Sequence, residues 1–212
     1  MAPRGPSRSF FDVWSRAYDN PLLQALTYRP VQDAVMVALQ EQQPRRVLDV
    51  GCGTGLLTAR MRAELGADVA GCDYSSGMIS RARRRSAAPS WVLANAMALP
   101  VGTAAVDAVV CTESFHWYSD QLLAFDEFTR VLRPAGHLYV ALVNPPLESM
   151  SEWTRRVSRR YGQPFYWPTA EQMRSMATIA GLRVVRQQRL LRLPSVLLFP
   201  AVLTVAERPA DK

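Results

Sequence analysis

The stretch Val47-Leu48-Asp49-Val50-Gly51-Cys52-Gly53-Thr54-Gly55 sets a short apolar strand against three alternate glycines, and a helix-forming run opens at Leu56 straight after them. Glycines permit a tight turn and close approach of a ligand to the backbone, while a helix start leaves N–H groups without intrahelical partners. Strand, glycine turn and helix in that order predict a ligand site beyond the carboxyl end of a strand in an α/β sheet. The spacing narrows the ligand. A dinucleotide fingerprint requires a third glycine where Leu56 stands, and a phosphate-cradling loop requires a Gly-Lys-Ser/Thr ending. The turn contains no lysine, and Lys212 is the only one in the chain. Asp73 closes the next strand, well placed to accept both hydroxyls of a ribose. A nucleoside without phosphates suits this set.

Working outward, Val31, Ala34, Val35, Ala38 and Leu39 have the spacing of one helix face and predict a helix over 31–42. Beyond the turn come a helix over 56–65 stopping at Gly66, a strand over 68–73, and a helix capped by Ser75 or Ser76. That helix ends in Arg81, Arg83, Arg84 and Arg85. Strands follow at Trp91-Val92-Leu93 and over 106–112. A helix over 120–132 runs into Arg133-Pro134-Ala135-Gly136, a turn by composition, and a fifth strand covers 137–143. Thr169-Ala170-Glu171-Gln172 is a capping box opening a helix that stops at Gly181. Segments 182–192 and 197–206 read as two closing strands, the second broken by Pro200. The alternation predicts an α/β fold: a doubly wound, seven-stranded, mostly parallel sheet with helices on both faces. No internal repeat or long linker divides the chain, so one domain is expected over 10–209 behind a loose tail at 1–9.

Composition agrees. The 212 residues suit one domain, and 49% of them are hydrophobic, enough for a sizeable core. The opening residues carry no signal-peptide pattern, and the longest apolar stretch, over 196–206, is too short to span a bilayer. A cytoplasmic location is the default. Cys52, Cys72 and Cys111 match no zinc or redox spacing and read as buried reduced thiols; no metal is expected. The net charge of +7 comes almost wholly from arginine. It permits an acidic partner without demanding one.

The glycine turn resembles motif I of class I S-adenosylmethionine methyltransferases, in which an acidic residue precedes G-x-G-x-G. The likeness runs from about Phe10 to Pro209. Phe11-Asp12-Val13-Trp14-Ser15-Arg16-Ala17-Tyr18-Asp19 is similar to the family's opening segment, Asn95-Ala96-Met97-Ala98-Leu99-Pro100 to its motif after the third strand, and residues 128–136 to the helix and turn before the fifth. The resemblance implies S-adenosylmethionine as cofactor and assigns residues to it. Gly51, Gly53 and Gly55, with Asp49, Cys52 and Thr54, would line the methionine part. Asp73 would hold the ribose, Tyr74 and Met78 would flank the adenine, and Asn95 and Ala96 would meet its edge. The family more often has aspartate at the position of Asn95. Tyr18 would reach the cofactor carboxylate, and Thr112 completes the set.

Methyl transfer needs an aligned acceptor, exclusion of water and, for some acceptors, removal of a proton. In the resembled family the loop after the fourth strand, here Cys111-Thr112-Glu113-Ser114-Phe115-His116-Trp117-Tyr118-Ser119-Asp120, borders the transferred methyl. His116 is the candidate base, since its reference pKa is near neutrality; positioning the loop is the equal alternative. Glu113 is a weaker candidate, and His137 has no site-like company. Aromatic residues cluster in two expected lid elements. One, at about 10–30, holds Phe10, Trp14, Tyr18 and Tyr28. The other, at 147–168, holds Trp153, Val157 and Tyr161 at helical spacing and then Phe165-Tyr166-Trp167. Aromatic lids point to an apolar or aromatic small-molecule acceptor, methylated on oxygen or carbon. Arg155, Arg156, Arg159 and Arg160 give the 153–167 stretch a basic face fit for an anionic membrane surface, although such runs are more often simply solvated. Asn144-Pro145-Pro146 is similar to an amino-nitrogen methyltransferase motif. It follows the fifth strand instead of the fourth and ends in Leu147, so that likeness is accidental. The alternatives are an RNA or protein methyltransferase, supported only by charge and without a nucleic-acid-binding module, and a non-catalytic cofactor binder.

Overall fold

The computed structural model describes residues 28–161, 165–190 and 201–210. The 1–9 tail, Phe10, Trp14, Tyr18 and the stretch around Pro200 lie outside the described residues.

Helix α1 (Arg29–Gln42) starts with proline in its first turn, where a missing N–H costs nothing, and stops at Gln43 in the left-handed region. Strand β1 (Arg46–Val50) leads through the glycine turn into α2 (Leu56–Leu65), which ends at Gly66 with φ +65°. Next come β2 (Asp68–Asp73), α3 (Ser76–Arg85), β3 (Ser90–Leu93) and β4 (Val106–Thr112). Of the two candidate caps for α3, Ser75 is the one used: its hydroxyl accepts from the Met78 N–H. A short 3₁₀ turn at Phe115–Trp117 precedes α4 (Gln121–Val131), capped by Asp120. The remainder is β5 (Leu132–Val143), α5 (Glu148–Tyr161), α6 (Ala170–Ile179), β6 (Arg183–Leu190) and β7 (Ala201–Glu207). Thr169 and Gln172 form the reciprocal capping box read from the sequence.

The seven strands lie in the order β3-β2-β1-β4-β5-β7-β6, parallel except for β7, which runs antiparallel to β5 and β6. Side-chain alternation along each strand feeds two cores. Val47, Val69, Val110 and Tyr139 meet α1 and α2 on one face; Leu48, Val109, Leu138 and Val140 meet α4 and α6 on the other. Strand β1 has β2 on one side and β4 on the other. The chain thus reverses its winding at β1, and the crevice over its carboxyl end is where such sheets hold ligands.

Arg133-Pro134-Ala135-Gly136 departs from expectation: it belongs to β5, which begins at Leu132, and is a bulge instead of a turn that ends the element. Ala135 sits at φ +62°, and the β4 register shifts between Val106 and Ala108. The strand continues because its partners follow it. The Ala135 N–H donates to the Arg208 carbonyl, the Arg208 N–H donates to Gly136, and Arg133 reaches the Asp107 carboxylate.

Candidate functional site

The turn after β1 is held in an unusual conformation by its neighbours. Gly51, Gly53 and Gly55 have φ of +73°, +56° and +78°. The Gly51 and Cys52 N–H groups both donate to the Cys72 carbonyl, at 2.8 and 3.0 Å. The Gly53 N–H donates to Asp73 Oδ2 at 2.9 Å, and the Ser75 N–H donates to Oδ1 at 2.8 Å. A carboxylate has about four acceptor positions, so Asp73 can fix the turn and still receive ligand hydroxyls.

Two of the glycines are needed for packing behind the turn. A Cβ on Gly51 would lie 2.2 Å from Ser114 Oγ, and one on Gly55 would lie 2.4 Å from the Trp91 ring. Trp91 also covers Gly71 and anchors its indole N–H on the Ser86 carbonyl at 2.8 Å. Ser114 donates to the Val50 carbonyl and sits 3.0 Å from the Tyr118 hydroxyl, with Cys111 Sγ within 3.2 Å of Ser114. This knot ties the end of β4 to the end of β1. Burial pushes the Tyr118 phenol and the Cys111 thiol up, so both stay protonated at neutral pH.

Asp49 lies beneath the turn at 1% exposure. Thr58 donates to its Oδ2 at 2.6 Å, while Oδ1 is buried without a partner. Burial raises the Asp49 carboxyl from 3.8 to about 7; the Thr58 bond opposes this and the charge of Asp73 adds to it. A buried oxygen without a partner is costly, and a cationic ligand group arriving there would remove the cost.

Of the other expected cofactor residues, Tyr18 lies outside the described residues, and the rest sit in the glycine turn or at and just after the ends of β2, β3 and β4. Tyr74, next to Asp73, is exposed, Met78 is buried under the start of α3, and Ala96 is buried after β3. Asn95 Oδ1 accepts from the Met97 N–H at 3.0 Å, closing a local turn. Cys52 and Thr54 are buried within the glycine turn, and Thr112 ends β4 half-buried. The three thiols are buried and free, as their spacing predicted. Among the described residues, no cluster of three or more His, Cys, Asp or Glu could hold a metal.

Past β4, His116 is 7% exposed, its ring 5.0 Å from Trp117 and 5.2 Å from Trp167. Phe165 closes the circle, 5.9 Å from Trp117 and 5.1 Å from Trp167. Backbone bonds fix this aromatic wall. The Tyr166 N–H donates to the His116 carbonyl at 2.8 Å, and Gln121 Nε2 donates to the Phe115 and Tyr166 carbonyls. Asn144 Nδ2 donates to the Pro168 carbonyl at 2.6 Å. The sequence singles out His116 and the 165–167 aromatics; Ser114, Trp117 and Tyr118 stand in the same loop without an assigned role, Asn144 is set aside there with an accidental motif, and Gln121 carries no signal because its Tyr166 partner is remote along the chain. Glu113 has φ +53° and its N–H donates to the Ala141 carbonyl; His137 lies away on β5, opposite Glu207.

A sheet of this order, with a glycine turn at its switch point and carboxylates in place of a lysine, defines a Rossmann-like protein for a phosphate-free nucleoside cofactor. Comparison with known proteins carries this further. The methyltransferase-domain family matches over residues 48–140. A malonyl-[acyl-carrier protein] O-methyltransferase of Serratia marcescens is 30% identical over 187 residues, covering 87% of this chain and 72% of the relative. A demethylmenaquinone methyltransferase of Beutenbergia cavernae is 35% identical over 138 residues, covering 64% of this chain and 57% of the relative. The chain thus spans little more than half the length of that relative, and 53% of a similar one from Thermus thermophilus. The methyltransferase in complex with the Trm112 methyltransferase activator from Haloferax volcanii has the same fold. Its TM-score is 0.82 at 21% identity, over 98% of this chain and 99% of that one. The chain belongs to the class I S-adenosylmethionine-dependent methyltransferases.

Proposed function

We propose that this protein transfers a methyl group from S-adenosylmethionine to oxygen or carbon of a small, apolar or aromatic acceptor. One observation carries the cofactor half: the buried Oδ1 of Asp49, without a partner, lies under the glycine turn, beside an Asp73 carboxylate that can accept from the rest of such a molecule. Asp49 would accept from the ammonium of the methionine part, and Asp73 from the ribose hydroxyls. Tyr74 and Met78 would flank the base, with Asn95 and Ala96 at its edge. When bound, S-adenosylmethionine supplies a methyl group activated by a positive sulfonium. The chain's own residues align and dehydrate the acceptor: His116, Trp117, Phe165 and Trp167 form an aromatic wall after β4.

His116 takes the acceptor proton in this reading. Its packing between two indoles supports a second one, in which it only positions the wall. His116→Ala separates them. Loss of a base lowers kcat by about 10²–10⁴-fold with cofactor affinity unchanged, whereas loss of positioning raises KM and leaves most of kcat. The named activities of the relatives, on demethylmenaquinone and on a malonyl carrier, support a small-molecule acceptor. No described helix is long and apolar enough to cross a membrane, and we place the protein in the cytoplasm, where its basic 153–167 stretch can touch a membrane surface. Uptake of label from methyl-labelled cofactor into fractionated metabolite extracts tests the assignment. Label appearing only on protein side chains or in RNA contradicts it.

A further inference from the structure

Helix α5 docks by an unexpected face. Its inner residues carry hydroxyls, two of them buried. Ser151 donates to the Trp167 carbonyl at 2.7 Å, Thr154 accepts from the Trp167 N–H at 3.3 Å, and Ser158 accepts from the Phe165 N–H at 2.9 Å. The large apolar side chains of the helix are therefore left out of that contact. Trp153 is 60% exposed, and with Pro145, Ser149, Met150 and Thr154 it lines an apolar pocket of about 290 Å³. That volume lies at the low end for small-molecule sites and suits a hydrocarbon or single-ring group. One residue links the pocket lining to the aromatic wall: Thr154 accepts from the Trp167 backbone N–H, and the Trp167 ring packs on His116. Asn144, beside Pro145, is 2% exposed with Oδ1 lacking a partner, as does the buried Trp167 Nε1.

The same helix carries a charge pattern in register with the pocket. Ser149, Trp153, Arg156 and Arg160 stand at i, i+4, i+7 and i+11, one face of a helix. The first two line the pocket, and the two arginines continue the stripe about 5 to 10 Å beyond it at 1.5 Å per residue. Arg155 is committed elsewhere, to Glu152 and to the face of Tyr166. Among the described residues no ion pair engages Arg156, Arg159 or Arg160.

We propose that this face binds an anionic amphiphile as a free small molecule, its apolar end in the pocket beside Trp153 and its carboxylate or phosphate on Arg156 and Arg160. The proposal rests on the function given above, because it reads that molecule as the methyl acceptor. A concave apolar pocket favours a single inserted molecule over the flat surface of a bilayer. Calorimetric titration of the full chain with monomeric decyl phosphate, decanol and decyltrimethylammonium tests it. Decyl phosphate is expected to bind roughly tenfold or more tighter than decanol, with the cation weakest. R156Q/R160Q should remove that preference while leaving decanol affinity unchanged, and S149L, which fills the pocket from an exposed position, should weaken both. Equal affinity for decyl phosphate and decanol, or an unchanged preference in R156Q/R160Q, overturns the proposal. So does binding confined to vesicles of equal phosphatidylglycerol and phosphatidylcholine, or to an acidic carrier protein. S-adenosylhomocysteine titrated in parallel keeps the two readings apart: its failure to bind sinks the methyltransferase assignment, and the decyl series judges the amphiphile site by itself.

Discussion

Replacing Asp49 by asparagine should make the protein more stable and a poorer cofactor binder. The carboxyl rises from 3.8 to about 7 on folding, chiefly through burial, which puts roughly 4 kcal/mol of penalty on keeping it charged. The sign follows from proton uptake. Between about pH 4 and 7 the folded state holds a proton that the unfolded state has released, so stability falls as pH rises through this window and levels off above it. Asparagine removes that slope. The Thr58 bond is already counted in that shift, but asparagine puts an amide N–H where Oδ1 lacks a partner, a loss of about 1 to 2 kcal/mol. The net expectation at pH 8 is a gain of about 2 to 3 kcal/mol for Asp49→Asn, shrinking toward zero or below at pH 5. Urea unfolding at the two pH values measures it. The same substitution should weaken S-adenosylmethionine binding by roughly a hundredfold or more, the effect of stripping one partner from a buried ion pair. Wild-type affinity should climb from pH 6 to about 7, then decline past the α-amino value near 8. A variant that is less stable at pH 8, or that keeps the wild-type pH slope, refutes the reasoning about this buried carboxylate.

Other substitutions probe the frame. Gly51→Ala places a side chain at φ +73° and onto Ser114, which should cost about 2 to 4 kcal/mol of stability from left-handed strain and a broken Ser114–Val50 bond. Adding Ser114→Gly should recover only the steric part in thermal unfolding. Asp107 accepts from the Arg45 and Arg46 N–H groups and from Arg133, so Asp107→Ala should cost about 1 to 3 kcal/mol in urea titrations and leave cofactor affinity unchanged.

Much of this architecture is legible in the sequence because its signals are local. Period and caps place every described helix but α5 within a residue or two, and Gly66, Ser75 and Thr169 stop or start elements by conformations that neighbouring residues reveal; α5 begins at Glu148, five residues before the helical spacing that starts at Trp153. The glycine turn and Asp73 are legible for the same reason. What escapes is pairing at a distance. Nothing near Ser114 announces that it will meet Val50 or sit behind Gly51, and Trp91 gives no sign that it fills the space left by Gly55 and Gly71. The bulge in β5 resembles a turn because Pro134 and Gly136 are turn residues; Arg208, far along the chain, supplies the bonds that keep it in the sheet. Helix α5 shows its stripe of Trp153, Val157 and Tyr161 in the sequence, yet it docks through Ser151, Thr154 and Ser158, since the backbone around Trp167 offers hydrogen bonds instead of an apolar surface.

The most direct measurement is calorimetry of the purified protein against S-adenosylhomocysteine, ATP and NADH at pH 7.5. Saturable heat with the first alone, lost in Asp73→Ala, is the predicted result. Silence with the first and saturation by either phosphate-bearing nucleotide would mean that the crevice over β1 was built for a different ligand.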